Sequence, residues 1–154
     1  MIRLVLADTN ALISMLCFPS GKPTLASEVF QASLEDDLEL LIADVVAQEL
    51  RNVVRRDFAA FEASLETFLE RFTNLELPAP SEALLYRSRA LCQDPNDVTI
   101  AAAAVQCAEL HGVEYLLTND FQNFHTPEMK AFLLEHEMVP VSLYGLLRLL
   151  GKRP

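Results

Sequence analysis

The chain begins Met1-Ile2-Arg3-Leu4-Val5-Leu6-Ala7-Asp8-Thr9-Asn10. Its apolar run, from Ile2 to Ala7 with one arginine inside it, stops at Asp8 and is followed by a threonine and an asparagine. This pattern is typical of a buried parallel strand that ends in a carboxylate. Because sites in open α/β sheets form at the C-terminal ends of the strands, we expect Asp8 to be a site residue with further acids near it.

The composition is typical of a folded globular protein. The chain has 154 residues, of which 51% are hydrophobic, so we expect one domain, residues 1–154, with a single sizeable core. No apolar run approaches the roughly 18–20 residues that span a bilayer, and the first residues lack the regions of a signal peptide. We therefore expect a cytoplasmic protein that does not contact membranes.

The three cysteines, Cys17, Cys92 and Cys107, are odd in number and widely spaced. This spacing favours neither a disulfide framework nor a zinc site, so we expect small buried hydrophobic side chains.

The net charge of −10 argues against whole-surface binding to nucleic acid, which depends on neutralisation of phosphates by Lys and Arg. An acidic protein can still act on a polyanion if divalent cations bridge its carboxylates and the phosphate. The same acidity is also explained by solubility alone.

Strand-like and helix-like segments alternate along the chain, with a clear break at residues 19–23. This alternation predicts a three-layer α/β/α domain with a mostly parallel sheet, and Pro140 places the last strand at an edge. We predict strands at 2–7, 38–43, 75–77, 112–118 and 139–141, and helices at 11–18, 24–34, 45–56, 58–72, 82–91, 95–108, 127–136 and 143–150.

Glu49 lies on or beside the apolar face of the helix predicted at 45–56. It stands three residues after Val46 and four before Val53, among side chains expected to face inward. A carboxylate there is unfavourable without a partner, which makes Glu49 a candidate site residue.

Asp97 is expected in the first turn of an alanine-rich helix. Asp94 followed by Pro95 has the pattern of an N-cap and a first helical position, which makes Asp97 the third helical residue. Its face is mostly alanine, so the helix can approach the sheet closely. The alternative is that Asp97 only interacts favourably with the positive end of the helix dipole and that Asp94 is only the N-cap.

Asp120 repeats the pattern of Asp8, since it follows the strand predicted at 112–118. Right-handed crossovers would place Asp8, Glu49, Asp97 and Asp120 on the same edge of the sheet. Converging carboxylates stay ionised only with cations present, and hard oxygen ligands favour Mg²⁺ or Mn²⁺. The alternative is that Asp8 and Asp120 are ordinary loop residues.

Four motifs resemble the PIN-domain ribonuclease family, in particular its bacterial members that are toxin components of toxin–antitoxin systems. They agree with it in order and spacing along nearly the whole chain. The motifs are Leu6-Ala7-Asp8-Thr9-Asn10-Ala11-Leu12-Ile13-Ser14, Glu49-Leu50-Arg51-Asn52-Val53-Val54-Arg55-Arg56, Asp94-Pro95-Asn96-Asp97 and Tyr115-Leu116-Leu117-Thr118-Asn119-Asp120-Phe121.

The resemblance implies a PIN-like fold and an endoribonuclease that uses Mg²⁺ or Mn²⁺. It implies Asp8, Glu49, Asp97 and Asp120 as catalytic metal ligands. Supporting positions are Thr9, Asn10, Asp94 and Thr118, of which Thr9 and Asn10 would orient Asp8. Some relatives carry a further acid where this chain has Asn123, which leaves a second metal site open.

The resemblance also implies partners. RNA is the expected substrate, a small cognate antitoxin the expected inhibitor, and a second copy of the chain the expected dimer partner. Phosphate contacts are expected on the basic side of the helix at 45–56, although such a helix face is often basic without any catalytic role. The arginines concerned are Arg51, Arg55 and Arg56.

Two other functions are considered. A phosphatase of the haloacid dehalogenase type also has an aspartate after the first strand, but it needs a second aspartate where this chain has Asn10. A non-catalytic PIN-like module that binds proteins would suit the acidic surface and the Phe-rich segment at 58–72. Four acids on apolar faces count against it.

Overall fold

A parallel β-sheet forms the centre of the molecule. The computed structural model describes residues 2–17, 23–35 and 37–154. Within them the sheet has five strands in the order β3-β2-β1-β4-β5, and every neighbouring pair is parallel. The strands are β1 Arg3–Ala7, β2 Leu38–Ala43, β3 Thr73–Leu75, β4 Tyr115–Leu117 and β5 Val139–Val141.

Helices connect the strands and cover the sheet, which gives the predicted three-layer α/β/α architecture. A short 3₁₀ helix, Ala59–Phe61, precedes the fourth of the α-helices. The α-helices are α1 Thr9–Cys17, α2 Leu25–Leu34, α3 Asp44–Asp57, α4 Glu62–Leu69, α5 Glu82–Leu91, α6 Pro95–His111, α7 Pro127–Leu134 and α8 Leu143–Leu149.

The central strand β1 marks the point where the direction of the sheet reverses. From β1 the chain moves outward through β2 to β3, and then returns to build β4 and β5 on the other side of β1. Ala7 of β1 pairs with Leu117 of β4 at this junction. Ligands of open α/β sheets bind in the crevice outside such a switch point, so the residues after Ala7 and Leu117 occupy the expected place for a site.

The start of α6 is formed as the sequence predicts. Asp94 caps the helix, accepting a hydrogen bond from the Asn96 N–H at 2.8 Å, and Pro95 takes the first helical position. The alanines from Ala101 to Ala104 are all buried, which lets the helix pack closely. α6 ends at Gly112, which adopts the left-handed conformation with φ of 67° that glycine accommodates without strain.

Several predicted elements are wrong in their bounds. The strand predicted at 112–118 is confined to Tyr115–Leu117. The helix predicted at 58–72 is shorter, because its first turn is the 3₁₀ helix and the chain turns after Leu69, where Phe72 stacks edge-on against Phe68 with ring centroids 4.9 Å apart. Both rings also pack on Phe30 of α2. The strand predicted at 75–77 lies two residues earlier, where Thr73–Leu75 pairs with β2.

The other sequence expectations have simple outcomes. The three cysteines are free and buried, as predicted. In the part of the chain that the structure describes, no helix is both long and apolar enough to cross a membrane. The break predicted at 19–23 lies, except for its last residue, outside the described residues. The first predicted helix begins earlier than expected, at Thr9.

Candidate active site

Asp8 lies at the switch point, immediately after β1 and before α1. Its side chain is only 3% exposed, and both of its carboxylate oxygens accept hydrogen bonds. The Thr9 N–H donates to Oδ1 at 2.7 Å, and the Thr118 hydroxyl donates to Oδ2 at 2.8 Å. β1 brings Asp8 into the crevice and the neighbouring strand β4 brings Thr118, so the two groups meet because their strands pair.

Thr118 links Asp8 to Asp120. The Thr118 side chain is fully buried, and its hydroxyl oxygen also accepts a hydrogen bond from the Asp120 N–H at 3.1 Å. Asn123 then holds the Asp120 carboxylate, donating from its backbone N–H at 3.1 Å and from its side-chain amide at 2.9 Å. Asn123 therefore orients an acid of the cluster in this chain, at the position where some relatives carry an acid.

Glu49 reaches the same place from α3. It is half-buried, in the second turn of a helix that starts directly after β2. The Thr9 hydroxyl donates a hydrogen bond to Glu49 Oε2 at 2.7 Å. Thr9 therefore joins the two acids, with its backbone bound to Asp8 and its side chain bound to Glu49. This hydrogen bond is the partner that a carboxylate beside an apolar face requires.

Asp97 is half-buried in the first turn of α6, which packs against α3. Burial raises the pKa of Asp97 to about 6, and repulsion from Asp120, Asp94 and Glu49 adds to the effect. This electrostatic coupling places Asp97 in the same acidic cluster as Asp120 and Glu49. Asp94 is exposed and acts as the cap of α6, at the rim of that cluster.

Burial also raises the pKa of Asp8 to about 6, with repulsion from Glu49 and Asp120 as further causes. The hydrogen bonds from Thr118 and Thr9 favour the ionised form and only partly offset this. The carboxylates of the crevice therefore lack enough positive charge nearby to stabilise their ionised forms. A cation bound there would relieve both the desolvation and the mutual repulsion of the acids.

The chemistry of the donors fits a hard divalent cation, since the acids present oxygen ligands. In residues 2–17, 23–35 and 37–154, however, no group of three or more histidine, cysteine, aspartate and glutamate side chains is arranged so that it could hold a metal ion. A ligand set drawn from Asp8, Glu49, Asp97 and Asp120 therefore requires these carboxylates to lie closer together than they do here.

Two residues that support the site, Asn119 and His125, were not predicted as site residues from the sequence. The Asn119 N–H donates to Asn10 Oδ1 at 3.1 Å, and Asn119 Oδ1 accepts from the Leu143 N–H at 3.4 Å. His125 Nε2 lies 2.8 Å from the carbonyl oxygen of Thr118. Asn123, which departs from the acid of some relatives, acts with them by holding Asp120, three residues before it. Only the partners of Asn119 lie in distant parts of the chain, so spacing alone could not identify that residue, whereas His125 binds Thr118 within the same loop.

Comparison with known proteins identifies the family of this chain. A sequence model described as the PIN domain matches residues 4–122, which is more than half of the chain. The protein belongs to the PIN domain family. The match includes Asp8, Glu49, Asp97 and Asp120. No curated protein sequence matches the chain at a significant level.

Solved structures share the PIN fold at low sequence identity. A chain of the VapBC2 structure from Rickettsia felis, bound to a DNA fragment from its promoter, has a TM-score of 0.59 and 16% identity, with 90% of this chain and 98% of that chain covered. PAE2754 from Pyrobaculum aerophilum has a TM-score of 0.57 and 20% identity, with 99% and 98% covered. A toxin–antitoxin complex from Klebsiella pneumoniae has a TM-score of 0.53 and 22% identity, with 91% and 98% covered.

The predicted phosphate-contacting arginines of this PIN domain are each engaged by an acid. Arg51 has the strongest such contact, donating from Nε and Nη2 to the two carboxylate oxygens of one glutamate at 2.8 and 3.2 Å. A phosphate would have to displace these carboxylates. The pairs are Arg51 with Glu66, Arg55 with Glu62, and Arg56 with Asp57.

A cavity of about 650 Å³ lies between α5 and the start of α6, beside the acids. Its lining includes Arg89, Cys92 and Val98. Burial raises the pKa of the Cys92 thiol to about 11, and repulsion from Asp97, Asp120 and Asp94 contributes, so this wall of the cavity lies within electrostatic reach of the acidic cluster. Among the described residues, Arg89 has no carboxylate partner, unlike the three arginines of α3.

Proposed function

We propose that this PIN-domain protein is a metal-dependent endoribonuclease. The observation that carries the proposal is the coupling of four acids at the switch point of the sheet, with Asp8 buried and its pKa raised to about 6. A group of acids that destabilise one another in a crevice is expected where the crevice binds a cation and an anionic substrate together. The membership in the PIN family supports the nuclease chemistry.

In this proposal, Asp8, Glu49, Asp97 and Asp120 hold Mg²⁺ or Mn²⁺. Such an ion lowers the pKa of a bound water and neutralises charge on the phosphate oxygens. Thr9 and Thr118 position the acids through the hydrogen bonds that they donate to Glu49 and Asp8. The fixed position of Asp8 makes it the reference ligand, to which the more exposed acids adjust.

Arg89 is the best-placed cation to contact the RNA backbone. It lies in the wall of the cavity beside the acids and has no carboxylate partner in the described part of the chain. Phosphate neutralisation by a positioned arginine matters more in a protein of net charge −10, because the rest of the surface repels RNA. The contacts predicted for Arg51, Arg55 and Arg56 would first require the loss of their ion pairs.

We further propose that the protein is the toxin component of a toxin–antitoxin pair, that it acts in the cytoplasm, and that it forms a homodimer. The fold shared with the Klebsiella pneumoniae toxin–antitoxin complex supports the first part, together with the resemblance of the motifs. Co-expression with the product of the neighbouring gene tests for an antitoxin.

The two alternatives fit the site less well. A phosphatase of the haloacid dehalogenase type needs a second aspartate two residues after the first, whereas this chain has Asn10, whose amide cannot transfer a proton and whose oxygen accepts a hydrogen bond from the Asn119 N–H. A non-catalytic binding module has no need for a buried aspartate with a raised pKa, since that group destabilises the fold at neutral pH.

The test is cleavage of a mixed set of RNA oligonucleotides with Mn²⁺ present. The wild type should cut RNA internally, and Asp8→Asn should lose at least 100-fold in rate, because it removes the buried ligand that the other acids must meet. The matched control is Asp37→Asn, an exposed aspartate that pairs with Lys152 just before β2, at the opposite edge of the sheet, which should cut as the wild type does. Equal activity in the wild type and Asp8→Asn would reject the proposal.

A further inference from the structure

An aromatic pair lies directly beside the acidic cluster. Phe121 follows Asp120 in sequence, and its ring stacks on the imidazole of His125 with centroids 4.5 Å apart and planes inclined by 27°. Phe121 is nevertheless 59% exposed. Since one face of the ring is covered by His125, its remaining surface is available to a ligand.

The loop that carries the pair is held firmly. His125 Nε2 lies 2.8 Å from the Thr118 carbonyl oxygen, so its N–H can donate there and fix the ring against the end of β4. The Phe124 N–H donates to the Asp120 carbonyl oxygen at 3.0 Å, and the Phe124 side chain is fully buried. Phe121 is therefore presented to solvent by an anchored support.

We propose that Phe121, supported by His125, stacks on a nucleobase of the RNA next to the phosphate that is cut. This inference rests on the proposed endoribonuclease function and names a residue that binds its substrate. Flat aromatic rings bind unpaired bases through their faces, independently of charge and with little sequence preference. Stacking suits a protein of net charge −10, which gains little from general attraction to phosphates.

The position and size of the surface favour a base over a protein partner. Asp120 holds one place in the acidic cluster and Phe121 is the next residue, so a phosphate bound by the acids brings its flanking nucleotide to the ring. The sequence neighbours of Phe121 are polar on both sides, with Asp120 before it and Gln122 after it. A protein interface requires a far wider surface than one ring, whereas a single base does not.

Kinetics on short RNA oligonucleotides test the proposal. Phe121→Leu keeps an apolar side chain but removes the ring, and should raise KM roughly 5- to 100-fold while kcat stays within about twofold. Phe121→Tyr should restore wild-type KM, because it keeps the ring face. Tyr86→Leu, which removes another exposed ring on α5, is the matched control and should leave KM unchanged.

Substrates with one abasic nucleotide locate the stacked base. At one position, loss of the base should raise the wild-type KM by the same factor as Phe121→Leu, and the variant should show no further loss on that substrate. If Phe121→Leu has the wild-type KM, or if its effect multiplies with base loss at every position, the stacking is rejected.

Binding of RNA that carries the fluorescent base 2-aminopurine separates this inference from the proposed function, because it needs no cleavage. Stacking predicts that the wild type quenches the fluorescence at the located position and that Phe121→Leu does not. Cleavage without any quenching difference would overturn the stacking and leave the endoribonuclease intact. Quenching by Phe121 in a protein that does not cut RNA would overturn only the endoribonuclease.

Discussion

Replacing Asp8 with asparagine should make the folded protein more stable at pH 7.5 when EDTA is present. Burial and repulsion from Glu49 and Asp120 raise the pKa of Asp8 to about 6, whereas an aspartate in an unfolded chain titrates at about 3.9. The folded state therefore binds the proton more tightly than the unfolded state. As the pH rises from about 4 through about 6, ionised Asp8 progressively lowers the free energy of unfolding.

The magnitude follows from the size of the pKa difference. Each pKa unit corresponds to about 1.4 kcal/mol, so ionised Asp8 lowers the free energy of unfolding by about 3 kcal/mol at pH 7.5 and by about half of that at pH 5. Asparagine has the same shape and carries no charge. Its Oδ1 can still accept the hydrogen bond from the Thr9 N–H, and its Nδ2 can donate to the hydroxyl oxygen of Thr118 in place of the bond that Thr118 donates to Asp8. Asp8→Asn should therefore gain up to about 3 kcal/mol at pH 7.5 and about half of that at pH 5.

Urea denaturation followed by far-UV circular dichroism at both pH values measures this effect. The control Asp57→Asn removes the same charge from an exposed ion pair with Arg56 and should change stability by less than about 0.5 kcal/mol at either pH. If Asp8→Asn is no more stable than the wild type at pH 7.5, and its stability depends on pH in the same way, then the cluster does not carry the electrostatic strain on which the proposed cation site depends.

Two further predictions address the cation and the RNA backbone. Calorimetry should show that the affinity for Mn²⁺ falls between pH 7.5 and pH 5.5, because protons compete for Asp8 and Asp97, whose pKa values are both raised to about 6; an affinity independent of pH would contradict the assigned ligands. Arg89→Ala should weaken RNA binding several-fold and reduce its salt dependence by about one phosphate contact, whereas Arg56→Ala should do neither. Fluorescence anisotropy at several salt concentrations measures both quantities. Equal effects of the two substitutions would contradict the role proposed for Arg89.

The sequence predicts the central parts of this fold well, because their signals are local. The apolar run before Asp8 forms β1 at the centre of the sheet, and Asp94-Pro95 starts α6 where the capping pattern places it. The edges of the sheet are less predictable. β3 contains Thr73 and Asn74, which are exposed, and it is a strand only because its backbone pairs with β2. A search for apolar runs therefore places it two residues too late.

The helix predicted at 58–72, which is shorter in the structure, shows a similar limit of prediction from sequence. The phenylalanines between residues 58 and 72 have helical spacing, which predicts one long helix. Their actual arrangement depends on Phe30, which belongs to a distant part of the chain and packs against both Phe68 and Phe72. Hydrophobic spacing indicates that these rings are buried, but it does not reveal that the chain turns between two of them.

The candidate site divides in the same way. The four acids of the proposed site stand out in the sequence, because each lies where an apolar strand or helix face meets a charge. Thr9 and Thr118 are named as supporting residues by the resemblance of the motifs, but local spacing does not predict the hydrogen bonds that they make, since Thr118 lies 110 residues from Asp8, and Thr9 lies 40 residues from Glu49. These contacts exist only after β1, β4 and α3 have come together, so no local sequence pattern predicts them.

The central position of β1 explains why Asp8 is unfavourable for folding and useful for a site. Because β1 has a neighbour on each side, the residue after it lies deepest in the crevice and loses most of its water. The resulting rise in pKa lowers stability at neutral pH, while the hydrogen bonds from Thr9 and Thr118 keep the carboxylate in one position. A carboxylate that is fixed, desolvated and repelled by its neighbours is stabilised by a cation more than an exposed one is. The instability expected of the unliganded protein is therefore the physical basis of the affinity that the proposed reaction requires.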